Sequence, residues 1–289
     1  MLARFVTALV LVPIAVALVW YGPPALLAPI AAAVGILALA EFFKLGDRIG
    51  LRGFLDWTIV CAAGIFFVQY VAGLGEMHRF SSGNVLLLPF AGGIFSLDLL
   101  LVIFLLGSAG IVLAMKRPLH EALPAIGISS AGLLFIALPF SYLVRLDEVE
   151  IRGRQFVLFT LCLVWAGDIA AYFIGRAIGR TKMAPALSPK KTWEGAAANV
   201  IASLAVGYVF AVWMHADIAI MLLIAAVANV AGQMGDLLES SYKRGASVKD
   251  SSGLLPGHGG MLDRIDSLIL AAPVVWILLQ VFSERLIAP

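Results

Sequence analysis

The sequence predicts an all-α polytopic membrane protein, and three observations carry that prediction. Hydrophobic residues make up 62% of the 289 residues and charged residues only 13%, against roughly 45–50% and roughly 25% in ordinary globular chains. The apolar residues gather into runs of about 20, the length a helix needs to cross the hydrocarbon core. The Lys and Arg residues fall unevenly among the connections between those runs. At a mean hydropathy of +1.00 there are too few polar side chains to coat a water-soluble surface. The runs must be helical, because lipid offers no partner to an unpaired backbone N–H or C=O. Disordered, collagen-like and small disulfide-stapled folds are excluded.

About nine transmembrane helices are predicted, at Phe5–Trp20, Pro24–Phe43, Leu55–Leu74, Leu97–Met115, Leu123–Val144, Gln155–Ile174, Ala196–Met214, Ile218–Leu238 and Ser267–Phe282. The first has Arg4 ahead of an apolar core, as a signal peptide does, but no small-x-small cleavage site follows it; it is read as a span. The apolar stretch Val85–Phe95 is too short to cross and reads as re-entrant or as a lead-in to the fourth span. The first five spans make an N-terminal membrane region, residues 1–150, that shapes a lipid entrance or serves as scaffold. Residues 151–289 form a C-terminal membrane region with two long polar connections, 175–195 and 239–266, where any catalytic chemistry is expected.

Charge orients this arrangement. With Arg4, the connections after even-numbered spans hold fifteen of the 20 Lys and Arg residues; Arg79, Arg145, Arg152, Arg154 and Arg285 lie on the other side. Such a bias is the positive-inside signature, so the N-terminus and the even-numbered connections are expected in the cytoplasm. Nine spans then leave the C-terminus outside. A net charge of only +2 gives no reason to expect nucleic acid as a partner. Cys61 and Cys162 lie inside apolar runs, where a thiol behaves as a small hydrophobe. His78, His120 and His215 have no ligand-spaced neighbours and read as surface residues.

The chemistry concentrates in the last polar connection. From Gly235 it reads GDLLESSYKRGASVKDSSGLLPGHGGMLDRIDS, bringing together Asp236, Glu239, Asp250, Asp263 and Asp266 with Lys243, Arg244, Lys249, His258 and Arg264. Carboxylates at this density suit a hard cation such as Mg2+, which completes its shell with phosphate oxygens and water. The interleaved cations suit the phosphates themselves. A basic loop resting on anionic headgroups is the plainer reading of the same charges. Gly257-His258-Gly259-Gly260 leads into the ninth helix, where glycine backbone and a helix N-terminus can approach an anion. Asp263 and Asp266 then share a face at i and i+3. If the eighth helix continues, Asp236, Ser240 and Lys243 share a stripe too. Asp168 lies inside the sixth span, where a carboxylate is costly and needs a partner or a wet cavity. Its plainer role is an interhelical hydrogen bond. In the other connection, Lys190 and Lys191 stand between Pro189 and the interfacial Trp193.

The run Ser240-x-Tyr242-Lys-Arg-x4-Lys-Asp-x-Ser-x2-Leu-Pro-x-His-Gly-Gly-Met-x-Asp-Arg-Ile-Asp266 resembles the signature of the phosphatidate cytidylyltransferase (CDP-diacylglycerol synthase) family. Ser188-Pro-x-Lys-Thr-Trp-Glu-Gly195 and Asp168 with Ala171-Tyr172 are similar to the same family's C-terminal half. Tyr242 departs from the Phe or aliphatic residue usual there, and the first 150 residues resemble the family only in their apolar spans.

The resemblance implies transfer of CMP from CTP to phosphatidate, with CDP-diacylglycerol and pyrophosphate as products. It implies Mg2+, a possible second cation, and the cytoplasmic face of a bacterial-type inner membrane. CTP, phosphatidate and membrane lipids are the expected partners, and a homodimer is plausible. On that scheme Asp236 and Asp263 are the expected metal ligands, with Asp168 also considered, and Asp250 and Asp266 complete the catalytic carboxylates. Lys243, Lys249, Arg244 and Arg264 are expected on the triphosphate and the lipid phosphate, and His258, Gly259 and Gly260 cradle phosphate. Lys191 and Ser188 reach in from the other connection. The alternatives are a CTP-dependent enzyme acting on another lipid phosphate or polyprenol, and an ion-coupled transporter using Asp168. A transporter would hold its charges at mid-membrane, whereas these lie at helix ends.

Overall fold

The computed structural model describes residues 2–81, 96–115, 118–149, 152–255 and 259–286. Its helices are α1 Leu2–Tyr21, α2 Pro24–Arg48, α3 Leu55–Ser81, α4 Leu97–Ala114, α5 Ala122–Gly132, α6 Leu138–Asp147, α7 Gly153–Ile178, α8 Trp193–Trp213, α9 Ile218–Gly245, α10 Leu262–Val281 and the short α11 Ser283–Leu286. Eight stretches among the described residues are long and apolar enough to cross a membrane, and they coincide with the second to ninth expected spans. The first expected span is also helical, with its shorter apolar part at Val12–Tyr21. The chain is therefore an all-α polytopic integral membrane protein. The stretch Val85–Phe95 lies outside the described residues, as does His258.

A π-helical turn, Leu133–Ala137, joins α5 to α6 within a single span. Pro139 follows in the first turn of α6. Its ring and missing N–H disrupt the regular i→i−4 ladder, which is where wider turns arise. Several helices run past their apolar cores. The sixth and eighth expected spans, at Gln155–Ile174 and Ile218–Leu238, extend to Ile178 and Gly245. Both extensions carry charged residues into helix.

The chain forms two compact units. The first comprises Met1–Arg154 with Gly245–Arg264. Here α3 packs on α2, α4 and α6, with Phe66 and Phe140 meeting edge to face at 6.3 Å. Trp57 donates from Nε1 to Phe104 O at 3.2 Å, and Gly107 leaves room for that indole. Arg154 ties down the end of α1, donating to Trp20 O at 2.8 Å and Gly22 O at 2.9 Å.

The second unit comprises Gln155–Arg244 with Ile265–Pro289. It contains a two-stranded antiparallel hairpin, β1 Lys182–Ala184 and β2 Ser188–Thr192, pairing Lys182 with Thr192 and Ala184 with Ser188. Thr192 then caps α8, its Oγ1 accepting from Gly195 N at 3.2 Å, as a residue at the N-cap does. Glu194 accepts from Thr181 N, fastening the two ends of the hairpin. Glycines set the closest helix approaches. A Cβ on Gly235 of α9 would lie 2.5 Å from Asp266 O of α10, and one on Gly232 would lie 3.3 Å from Ser267 O.

Candidate active site

Extension of α9 places Asp236 and Glu239 three residues apart on continuous helix, and the Gly232–Gly235 contact draws α10 against them. The result is a cluster in which carboxylate oxygens of Asp236, Glu239 and Asp266 all lie within 4.8 Å of one another. Three such groups repel strongly unless cations neutralise them. Lys191 Nζ lies 2.5 Å from Asp236 Oδ2, and Lys243 Nζ lies 2.6 Å from Glu239 Oε2. Asp266 also accepts from Ser267 N at 2.7 Å. An all-oxygen donor set this close suits a hard divalent cation, and the residues present can hold one.

Asp236 also lines a cavity of about 630 Å³ in the same unit. Its lining includes the cations Arg176, Lys182, Lys190 and Lys191 and the polar Asp168, Asn199 and Gln233. Arg176 is braced by an NH1 hydrogen bond to Tyr172 Oη at 3.0 Å. A cavity this size is ample for a nucleotide. Behind it runs a buried polar ladder. Asn199 Nδ2 lies 3.4 Å from Asp168 Oδ1, and Asn229 Nδ2 donates to Asn199 Oδ1 and to Ser203 Oγ (2.6 Å). Gln233 Nε2 donates to Asn229 Oδ1 at 2.7 Å. Asp168 is thus exposed within a membrane-spanning helix yet faces a polar cavity, the environment an intramembrane carboxylate requires.

The other expected residues are distributed between the two units. Ser188 stands half-buried in β2. Arg244 donates from Nε to Leu187 O at 3.1 Å, bracing the hairpin. Lys249, Asp250 and Arg264 are exposed in the first unit. Asp263 is buried there, its Oδ2 accepting from Ser251 N (2.9 Å), Ser251 Oγ (2.8 Å) and Gly260 N (2.7 Å). Gly259 has a left-handed φ of +79°, a conformation glycine adopts without strain. The N–H of Gly260 goes to the Asp263 carboxylate.

Seven residues beyond the expected set belong to this arrangement: Glu239, Asn199, Asn229, Gln233 and the cavity-lining Arg176, Lys182 and Lys190. Glu239 stands in the acidic stretch without an expected role; its i+3 spacing from Asp236 is the signal that finds it. Asn199, Asn229 and Gln233 lie in apolar spans, where polar side chains at helical spacing mark a wet or paired face.

A model of the cytidylyltransferase family matches residues 2–282. Curated relatives similar to this chain carry the name phosphatidate cytidylyltransferase. That of Brucella suis biovar 1 (strain 1330) is 35% identical over 282 residues, covering 97% of this chain and 94% of the relative. That of Bacillus subtilis (strain 168) is 36% identical over 160 residues, which is 55% of this chain and 60% of the relative. That of Staphylococcus saprophyticus (strain ATCC 15305) is 40% identical over 150 residues, or 51% and 56%.

Proposed function

This chain belongs to the cytidylyltransferase family, and on that premise we infer that it transfers CMP from CTP to phosphatidate, giving CDP-diacylglycerol and pyrophosphate. One observation carries the reading. Asp236 belongs at once to a three-carboxylate cluster and to a cavity lined by Arg176, Lys182, Lys190 and Lys191. Nucleotidyl transfer needs a cation site against a polyphosphate site, and this is the chemistry each side supplies. The names of the full-length relatives support phosphatidate as the lipid.

In this reading an oxygen of the lipid phosphate attacks the α-phosphorus of CTP. The new P–O bond forms as the bond to the β-phosphate breaks, and pyrophosphate leaves in line. Positioning and charge neutralisation are the main demands of such a transfer. Lys191, Lys190, Lys182 and Arg176 hold the triphosphate in the cavity. Asp236, Glu239 and Asp266 would hold Mg2+, and Asp263, in the first unit, is read as a further cation ligand. When bound, the cation neutralises charge on the attacking and leaving oxygens. Lys243 keeps Glu239 in place, and Arg244 steadies the hairpin that carries Lys190 and Lys191. Exposed Lys249, next to Asp250 in sequence, and exposed Arg264 are available to a lipid headgroup.

The Lys and Arg bias supports a cytoplasmic active face in a bacterial-type inner membrane, where CTP is at hand. A homodimer belongs to the same reading, with lipid-facing helix surface available for a second copy.

The test uses full-length protein in detergent micelles with phosphatidate, Mg2+ and CTP labelled at either the α- or the γ-phosphate. Label entering lipid from the α-position, and abolished by EDTA, is the expected result. Label entering only from the γ-position would make the protein a CTP-dependent lipid kinase. No transfer from either position, in folded protein, would overturn the enzyme reading.

A further inference from the structure

Glu41 of α2 is a carboxylate within a candidate membrane-spanning helix, and only 4% of it is exposed. A buried carboxylate is tolerated where several donors replace its water. Glu41 has four such donors, all from one segment more than 200 residues away in sequence. Oε2 accepts from Ser251 Oγ and Leu262 N, each at 2.8 Å. Oε1 accepts from Ser252 Oγ at 2.5 Å and Met261 N at 3.0 Å. Met261 and Leu262 stand at the start of α10, whose first N–H groups have no partner within the helix. A carboxylate there is favoured by the helix dipole as well.

The same loop carries Asp263. Ser251 Oγ lies 2.8 Å from both Glu41 Oε2 and Asp263 Oδ2, so the two carboxylates share its single hydroxyl proton. Gly260 makes the approach possible, because the position of its absent Cβ is taken by Ser251 Oγ and Glu41 Oε2. Any side chain at 260 would push Glu41 off the loop.

We propose that Glu41 is a positioning residue for the transfer reaction: it fastens residues 251–262 and the first turn of α10, and so fixes the aim of Asp263. This rests on the cytidylyltransferase reading and on Asp263 as a ligand, and it gives the N-terminal helices a part in the chemistry. Outer partners of ligating carboxylates typically matter by about 10–100-fold in metal affinity or activity.

Glu41→Gln tests it. The amide is isosteric but has a single acceptor oxygen for four donors, so at least two are turned away. The full-length protein is compared with wild type in two ways. Amide hydrogen exchange, read by mass spectrometry without nucleotide or metal, is expected to quicken across residues 251–262 and to stay unchanged in α7 and α8. In the transfer assay kcat is expected to fall about 10–100-fold, and the Mg2+ concentration for half-maximal rate to rise, with KM for CTP little altered. A merely structural role would lower the rate with the folded fraction and leave the Mg2+ midpoint in place; that result overturns the proposal. Wild-type exchange across 251–262 in the variant overturns it as well. If Glu41→Gln does not fold, Ser252→Ala removes one of the four bonds and is expected to show the same two changes on a smaller scale; wild-type values for both overturn it. Wild-type protein that transfers no label sinks the activity reading instead, and the exchange comparison still decides whether Glu41 holds the loop.

Discussion

Lys191 Nζ lies 2.5 Å from Asp236 Oδ2, joining the end of the β1–β2 hairpin to helix α9 at the wall of the cavity. The pair puts one cation where a phosphate would rest and one carboxylate where a metal would be held. Lys191→Ala is expected to raise KM for CTP by about tenfold or more while changing kcat less. A charged hydrogen bond is worth about 1.5–3 kcal/mol, and 1.4 kcal/mol corresponds to a factor of ten. Steady-state kinetics on purified variant decide it, and an unchanged KM would reduce Lys191 to a topology signal.

Glu239 is 2% exposed and paired with Lys243, yet it shares a cluster with Asp236 and Asp266. If it helps to hold the cation, Glu239→Gln should fall with Asp236→Asn and Asp266→Asn, each losing about 10²–10³-fold in kcat, the scale of removing one charge-stabilising group. Extra Mg2+ should recover part of the loss. A Glu239→Gln enzyme with wild-type turnover would leave it only a partner for Lys243.

The spans were legible because hydropathy acts over 20 residues and needs no knowledge of neighbours. Their polar ends were not, since α9 continues through Asp236–Gly245 on hydrogen bonding and packing after its apolar pattern stops. The continuation makes Asp236, Ser240 and Lys243 one stripe, as the spacing allowed. The β1–β2 hairpin escaped notice because its five-residue strand contains Pro189 and two lysines, with no apolar alternation. Asp266 was recognisable as a candidate from its motif, but its meeting with Glu239 depends on how closely α10 crosses Gly235, which spacing along one chain does not encode. Glu41 lay furthest from view: its four donors come from a distant segment, and a single glutamate in an apolar run carries no sign of what it will meet.

Gly235 sets that crossing. A methyl group there would lie 2.5 Å from Asp266 O, a backbone atom at the start of a long helix. Gly235→Ala is expected to destabilise by about 1–3 kcal/mol, the usual cost of overpacking, and to lose turnover beyond what the stability change explains. Gly245→Ala, where a Cβ meets nothing within 4 Å, is the control and should be near neutral. Thermal unfolding in micelles alongside the transfer assay separates the two effects.

Glu148, in the connection after α6, gives stability a pH dependence of definite sign. It is 7% exposed and packs against Gly73. Burial, reinforced by the negative charge of Asp147, pushes its carboxyl up to about 7 from an ordinary 4.5. Between those values the folded protein holds a proton that the unfolded chain has released, so stability falls as pH rises through that window. The contribution is fully present below 4.5 and is lost as pH passes about 7. Glu148→Gln carries no such proton. The difference in Tm between Glu148→Gln and wild type, measured from pH 5 to about pH 8, is therefore expected to grow in favour of the variant as pH rises. A constant difference across that range would mean that Glu148 titrates at its ordinary value and that water reaches it in the folded protein.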